Sequence, residues 1–374
     1  MAGRRRWGAG AANGRVDSKL LTQPKMTSSL GGAGRTRTRC RCPAGGGARP
    51  PSCACPLFYE AYRSSREPCL RHVFETYQPP ITAAHHTCVG LGLELLRRLA
   101  ALDRRFAGLS RHMYLVSCEE AVDHADRYVA AAEPDAWRTE KEHVLVAMRL
   151  EVAGRRGLML LDPGYHVARV VTVMRDEMYP HTGWFTQSKE GDTRKDYNYA
   201  FAAAAAGGGG GKEAGDAAYV VWRVRDKRGA ASPEKVSHSV VYVRRAFANP
   251  VEVAERRNLV YNFRSLLARN TKGQLIAGVY FAVDAAAAKQ FTVFYQEHGV
   301  KQRHKLSFDL FECLDGKLDP AIARGVALCS DQLGLPASGL SELLCKLAHI
   351  LNDASFVTQL LSINQAIILV SDDN

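Results

Sequence analysis

The hydrophobic repeat of this chain changes period, and that change limits what it can fold into. Within 88–102, Leu91, Leu95, Leu99 and Leu102 recur at the spacing of one helix face. Within 143–150, Val144, Val146, Met148 and Leu150 alternate, as a strand with one buried face requires. Apolar clusters around Phe58 and Phe74 predict one or two short helices over 58–78, before the change. After it, strands are expected at 113–117, 158–161, 167–174, 219–225 and 236–243, with a charged helical stretch at 119–132. Asn249-Pro250 opens an expected helix reaching residue 267; strands at 275–283 and 291–296 and a helix at 340–361, interrupted near Asn352, complete the pattern. Helices, then antiparallel strands, then a mixed end describe an α+β protein. The strand–helix alternation of a doubly wound sheet is missing.

Charge divides the chain differently. Of the net +12 over 374 residues, residues 1–55 supply nearly all, through nine Arg, Lys19 and Lys25 against the single acid Asp17. The body is close to neutral, which argues against specific nucleic-acid binding. The tail is rich in Gly, Ala, Arg, Pro and Ser, too poor in large apolar residues to offset its ordering entropy, and is expected to be disordered. Its Arg-rich, acid-poor composition also suits a mitochondrial transit peptide. Cys40-x-Cys42 and Cys53-x-Cys55 depart from the usual C-x₂₋₄-C spacing of structural zinc sites, so no metal is expected. A second low-complexity stretch, 202–218, holds five Ala then five Gly and predicts a flexible loop. The remaining cysteines are scattered and are read as free thiols of a cytoplasmic protein. No run of about 18 uncharged apolar residues could span a membrane. The expected parts are a tail (1–55), a helical part (56–112), a β-barrel-like part carrying the insert (113–248) and a mixed α/β part (249–374).

Cys88 opens the strongest helix, behind Thr87 as N-cap. A thiol there meets free backbone N–H groups and the positive end of the helix dipole, both of which favour thiolate. A cysteine nucleophile needs a base, and the base needs an orienting acceptor. His143 opens one strand and Asp162 closes another, which offers both. Turn position decides whether they meet. A turn at Arg155-Arg156 sets Asp162 opposite Arg149, about 20 Å along the strand from His143. A turn at Ala153-Gly154 sets it opposite Leu145, with His143 as its same-face diagonal neighbour. The assembly Cys88–His143–Asp162 requires the second register or an equivalent bulge. His85, His86, His166 and His181 are other possible bases, and His86 and Trp184 are candidates for lining the pocket. No GxGxxG, Walker, HExxH or paired CxxC pattern occurs, so neither a dinucleotide nor a metal is expected.

The segments Thr87-Cys88-Val89-Gly90, Glu142-His143-Val144-Leu145-Val146 and Leu160-Leu161-Asp162-Pro163-Gly164 resemble the catalytic segments of the arylamine N-acetyltransferases. More distantly, they resemble those of the transglutaminase-like, papain-like cysteine enzymes. Asn258 to Arg269, followed by Asn270-Thr271-Lys272-Gly273-Gln274-Leu275, is similar to that family's entry into its third domain. Where the family has Arg-Gly-Gly before its cysteine, this chain has Ala83-Ala84-His85-His86-Thr87, and Asp162-Pro163-Gly164-Tyr165 is nearer the transglutaminase-like pattern. The resemblance implies a papain-like fold, a Cys88–His143–Asp162 triad and acetyl-CoA or another acyl-CoA as cosubstrate. It also implies a small-molecule amine acceptor, acylated through an acyl-cysteine. A transglutaminase-like or hydrolytic enzyme and a non-catalytic binding protein on the same fold are the alternatives.

Overall fold

The structure is a computed structural model and describes residues 54–83, 87–130, 141–165, 167–202, 218–229, 232–270, 274–284, 289–312 and 318–372. The expectations for the tail, for most of the 202–218 insert and for His85, His86 and His166 lie outside these residues.

In chain order the elements are α1 (Ala54–Ser65), α2 (Leu70–Thr76), α3 (Cys88–Leu99), β1 (Met113–Glu119), α4 (Ala125–Ala130), β2 (His143–Val152), β3 (Arg155–Leu161) and β4 (Val171–Met174). β5 (Phe185–Glu190), β6 (Thr193–Phe201), β7 (Tyr219–Arg228) and β8 (Lys235–Tyr242) follow. Next come α5 (Arg256–Val260), β9 (Phe263–Arg269), β10 (Leu275–Ala282), β11 (Gln290–Glu297) and β12 (Val300–Ser307). The chain ends in α6 (Pro320–Gln332), α7 (Gly339–Asn352) and α8 (Ala354–Asp372). The protein is a mixed α+β fold.

β1 to β8 form one antiparallel sheet in the order β4-β3-β2-β1-β8-β7-β6-β5. The sheet curls until β4 approaches β6, giving a half-barrel. Its concave side is filled from every strand, for example by Val116, Leu145, Leu160, Val173, Phe185 and Val241. Tyr199 stacks on Trp222 there, with ring centroids 5.4 Å apart. Alternation along β2 sends Val144 and Val146 to the convex side, where they pack with Leu115 and Val89 under α3. Gly92 lets α3 lie close, since a Cβ there would come within 3.0 Å of the Leu115 side chain.

The β2–β3 hairpin turns at Ala153-Gly154, with φ of 51° and 76°. Positive φ at both central residues is the two-residue turn that matches strand twist. It pairs Val152 with Arg155 and Val146 with Leu161. This is the register that sets Leu145 opposite Asp162.

The second sheet, ordered β12-β11-β10-β9, is covered by α6, α7 and α8 and by the N-terminal α1 and α2. Cores therefore do not follow chain order. α1 and α2 join the C-terminal helices, with the Phe58 ring 6.2 Å from that of Phe356, while α3 belongs to the half-barrel.

Two expectations are corrected. The helix expected up to residue 267 ends at Val260, and Phe263–Arg269 is the edge strand β9. Arg264 closes the helix by donating to the carbonyls of Asn258 (3.0 Å) and Leu259 (2.7 Å), the acceptors a helix end leaves open. Of the helix expected over 119–132, the described residues show only Ala125–Ala130, because residues up to Glu119 pair in β1. β5, β6, β12 and α6 are additions to the expected pattern.

Phe308 anchors the second core, fully buried against the rings of Phe281 (5.0 Å) and Phe291 (4.6 Å). Phe308→Ala should cost about 3–5 kcal/mol. The urea midpoint should fall accordingly; a loss under about 1 kcal/mol would contradict this account of the core.

Candidate functional site

Cys88 is the first residue of α3, and the Thr87 hydroxyl caps the helix by accepting from the Gly90 N–H at 3.2 Å. The thiol points toward the Glu142 carbonyl (3.7 Å), and the Asn258 Nδ2 lies 3.8 Å from its sulfur. Asn258 also donates to the carbonyls of Glu142 (3.2 Å) and Ala254 (2.9 Å), so its amide is fixed between α5, the start of β2 and the thiol.

His143 stands at the first position of β2 on the concave side, 4% exposed. Its Nε2 lies 3.1 Å from Oδ2 of Asp162, itself 4% exposed. Oδ1 of Asp162 accepts from the Tyr165 N–H at 2.9 Å, and its backbone carbonyl accepts from the Val167 N–H. The carboxylate is thus held by its own turn, and Nδ1 is the ring nitrogen left for the thiol. Burial alone would push the imidazole down. The Asp162 charge and hydrogen bond, joined by interaction with Cys88, outweigh burial and hold it well above the ordinary histidine value. The Tyr165 ring covers the imidazole edge-on at 4.6 Å, and its hydroxyl donates to Glu120 at 2.7 Å. Trp222 closes the inner side, 6.4 Å from the imidazole.

Gly164 makes this closeness possible. A Cβ there would stand 2.8 Å from the His143 Cε1 and 2.9 Å from the Cys88 Cβ. Real Cβ atoms do not approach so near, so the turn after Asp162 can lie over both side chains only as glycine.

Close to the start of α3 sits Glu255, 1% exposed. Burial pushes its carboxyl up to about 7, with the nearby Thr87 side chain opposing the rise.

A cavity of about 590 Å³ opens beside these groups. Thr87, Cys88, His143 and Tyr165 form one wall, and β9 to β12 form the other, with Phe263, Tyr280 and Phe294 among its side chains. The cavity is therefore bounded by the helical part, the barrel-like part and the third part of the chain. The reason is that α5 passes beside Cys88 and leads directly into β9.

Other expected residues sit elsewhere. Trp184 does not line the cavity; its ring faces outward beneath the Arg225 guanidinium at 3.8 Å. His181 accepts from the Met174 N–H at 3.1 Å, a structural bond. Asn258, Tyr165 and the packing role of Gly164 were not read from the sequence as parts of the site. Asp-Pro-Gly-Tyr was the available signal for two of them, while nothing local marks Asn258. Among the described residues, no cluster of three or more His, Cys, Asp or Glu could hold a metal, and no helix is long and apolar enough to cross a membrane. The described cysteines are free thiols.

Geometrically, the three side chains can form a thiolate–imidazolium pair with the imidazole tautomer set by a carboxylate. In comparison with known proteins, no family model, curated protein or solved structure matches the chain.

Two outcomes follow. Because the folded protein holds the His143 proton more tightly than the unfolded chain, this pair's stabilisation is complete below pH of about 6.5. It fades as pH rises through the folded value, with a slope of at most about 1.4 kcal/mol per pH unit. Asp162→Asn should remove that component from a stability-versus-pH series and lower the His143 Cε1–H NMR titration; an unchanged titration would contradict the pairing. Gly164→Ala should slow Cys88 alkylation at least tenfold while far-UV circular dichroism stays the same. Undiminished alkylation would show that the turn does not press on the thiol.

Proposed function

We propose that this chain is an acyltransferase that moves an acyl group from a thioester donor of the acyl-CoA class to an amine, through an acyl-Cys88 intermediate. One observation carries the reading: a cysteine at a helix N-terminus beside a buried histidine whose other ring nitrogen is held by a buried aspartate at 3.1 Å. The resemblance to the arylamine N-acetyltransferases supports it. So does the curled sheet packed against the Cys88 helix, which we read as that family's papain-like arrangement.

His143 Nδ1 takes the Cys88 proton, and the thiolate sulfur attacks the donor carbonyl carbon. The new S–C bond forms as the donor's C–S bond breaks, and the leaving thiolate recovers the proton from the imidazolium. In the second half the amine attacks the acyl-Cys88 carbonyl. His143 removes the amine proton, and the Cys88 sulfur departs. Asp162 keeps one tautomer throughout and stabilises the imidazolium. Free backbone N–H groups at the start of α3 are the donors this reading assigns to the developing oxyanion.

A second reading, a hydrolytic or transglutaminase-like enzyme with water or lysine as acceptor, is favoured by the Asp162-Pro163-Gly164-Tyr165 turn. Formation of an acyl-Cys88 is common to both readings, which differ in the group the donor loses and in the acceptor.

Intact-mass analysis after incubation with acetyl-CoA and longer acyl-CoA esters tests the reading. An acyl adduct should form on the wild type and be lost in Cys88→Ala. An added amine should discharge it faster than water does; discharge by water alone would support the hydrolytic form of the second reading. Iodoacetamide should modify Cys88 at pH 7 at least tenfold faster than Cys345, and His143→Ala should erase that difference. Equal rates in the wild type would remove the enzyme reading.

A further inference from the structure

We propose that the cavity beside Cys88 accommodates the hydrocarbon chain of a medium-chain acyl group, with the carbonyl at the thiol and the chain passing the edge of β9 toward α7. The carbonyl placement rests on the acyl-transfer reading; the chain site does not.

β9 is an edge strand, and the cavity turns around it. Ser265 and Leu267 line it from the face turned to the half-barrel, whereas Leu266 lines it from the opposite face. Beyond the edge the walls are Val279 and Phe281 of β10 and Leu340, Leu344 and Leu347 of α7. These five are buried, from 0% to 7% exposed, and none carries a polar side-chain atom. Arg264 stands at this passage with its two terminal guanidinium nitrogens on the Asn258 and Leu259 carbonyls.

Size and chemistry agree. A cavity of about 590 Å³ is on the scale that encloses a whole small-molecule ligand, far more than a two-carbon acetyl group occupies. Cys88, His143, Glu142 and Asn258 line the cavity at the thiol, charged side chains such as Glu190, Lys301 and Arg303 line its flank, and the arm beyond the β9 edge is hydrocarbon. That division suits a ligand with a reactive polar head and an apolar tail. Each methylene transferred from water to such a lining is worth roughly fourfold in affinity.

The test uses the full chain and two kinds of measurement. Acylation of Cys88 is timed by intact mass with acetyl-CoA and octanoyl-CoA, and octanoate binding to Cys88→Ala is measured by calorimetry. Octanoyl transfer should be at least tenfold faster than acetyl transfer, and octanoate should bind where acetate does not. Leu347→Phe should shift the octanoyl-to-acetyl rate ratio downward at least fivefold. Leu344→Ala, which enlarges the arm instead of filling it, should shift preference toward decanoyl-CoA. Acetyl transfer as fast as octanoyl transfer, or a ratio that neither variant moves, overturns the inference while leaving acyl transfer standing. Octanoate binding without labelling by either donor overturns acyl transfer and keeps the chain site. Neither labelling nor binding overturns both.

Discussion

The hydrogen bond between His143 and Asp162 is the contact on which the site's geometry depends. Both side chains are nearly removed from water, and each alone would be an expensive group to bury. Together they satisfy one another, and the Tyr165 N–H takes the second carboxylate oxygen. Their meeting is decided at a distance, by two positive-φ residues at Ala153-Gly154. A turn displaced by two residues would leave every strand hydrogen bond available and still carry the carboxylate far along the sheet from the imidazole. Side-chain chemistry at one end of the hairpin is therefore a consequence of backbone conformation at the other.

The thiol arrives by a separate route. Alternation along β2 sends Val144 and Val146 out to α3 and His143, Leu145 and Ala147 in to the half-barrel. Cys88 and His143 thus begin on opposite sides of one sheet. They meet because the helix starts where the strand starts, so the first residue of each can reach around the sheet end. Gly90 and Gly92 allow this packing: a Cβ at Gly90 would lie 2.5 Å from the Thr82 carbonyl oxygen, and one at Gly92 would press on Leu115. Gly164 then permits the turn after Asp162 to close over the pair.

Much of this was legible in the sequence where one face of an element is buried. β2 showed its alternation, and α3 showed both its stripe and its cap. β5, β6 and β12 escaped because their polar residues break up the apolar pattern, as in Thr186-Gln187-Ser188 and Arg303-His304-Lys305. β9 was mistaken for helix because Leu259, Val260, Phe263, Leu266 and Leu267 fall at helical spacing. Their strand state is set by pairing with β10, a partner no local window contains. The same distinction divides the site. Cys88, His143 and Asp162 could be named from residue type and element boundary, and the Ala153-Gly154 register was one of two alternatives. Asn258 at the sulfur and the β9–β10 wall of the cavity depend on how the third part docks, which spacing along the chain does not encode.

Two buried titrating groups flank Cys88, and both act on stability with the same sign. His143 binds its proton more tightly in the folded state, and Glu255, pushed up to about 7, does so too. For each, the folded state holds more protons than the unfolded state between the two titration points, so stability falls as pH rises through that interval. The window begins at about 4.3 for the glutamate and about 6.5 for the histidine. Protonation has the opposite value for chemistry on free thiols, because thiolate is the nucleophile and acid removes it. Pairing with His143 relieves this opposition. On the acyl-transfer reading, the imidazolium stands as a cation beside the sulfur, and Glu255, while protonated, adds no negative charge near the start of α3. On that reading, the protonated partners that favour the fold are the same ones that face the sulfur, so stability and reactivity draw on one arrangement of charge.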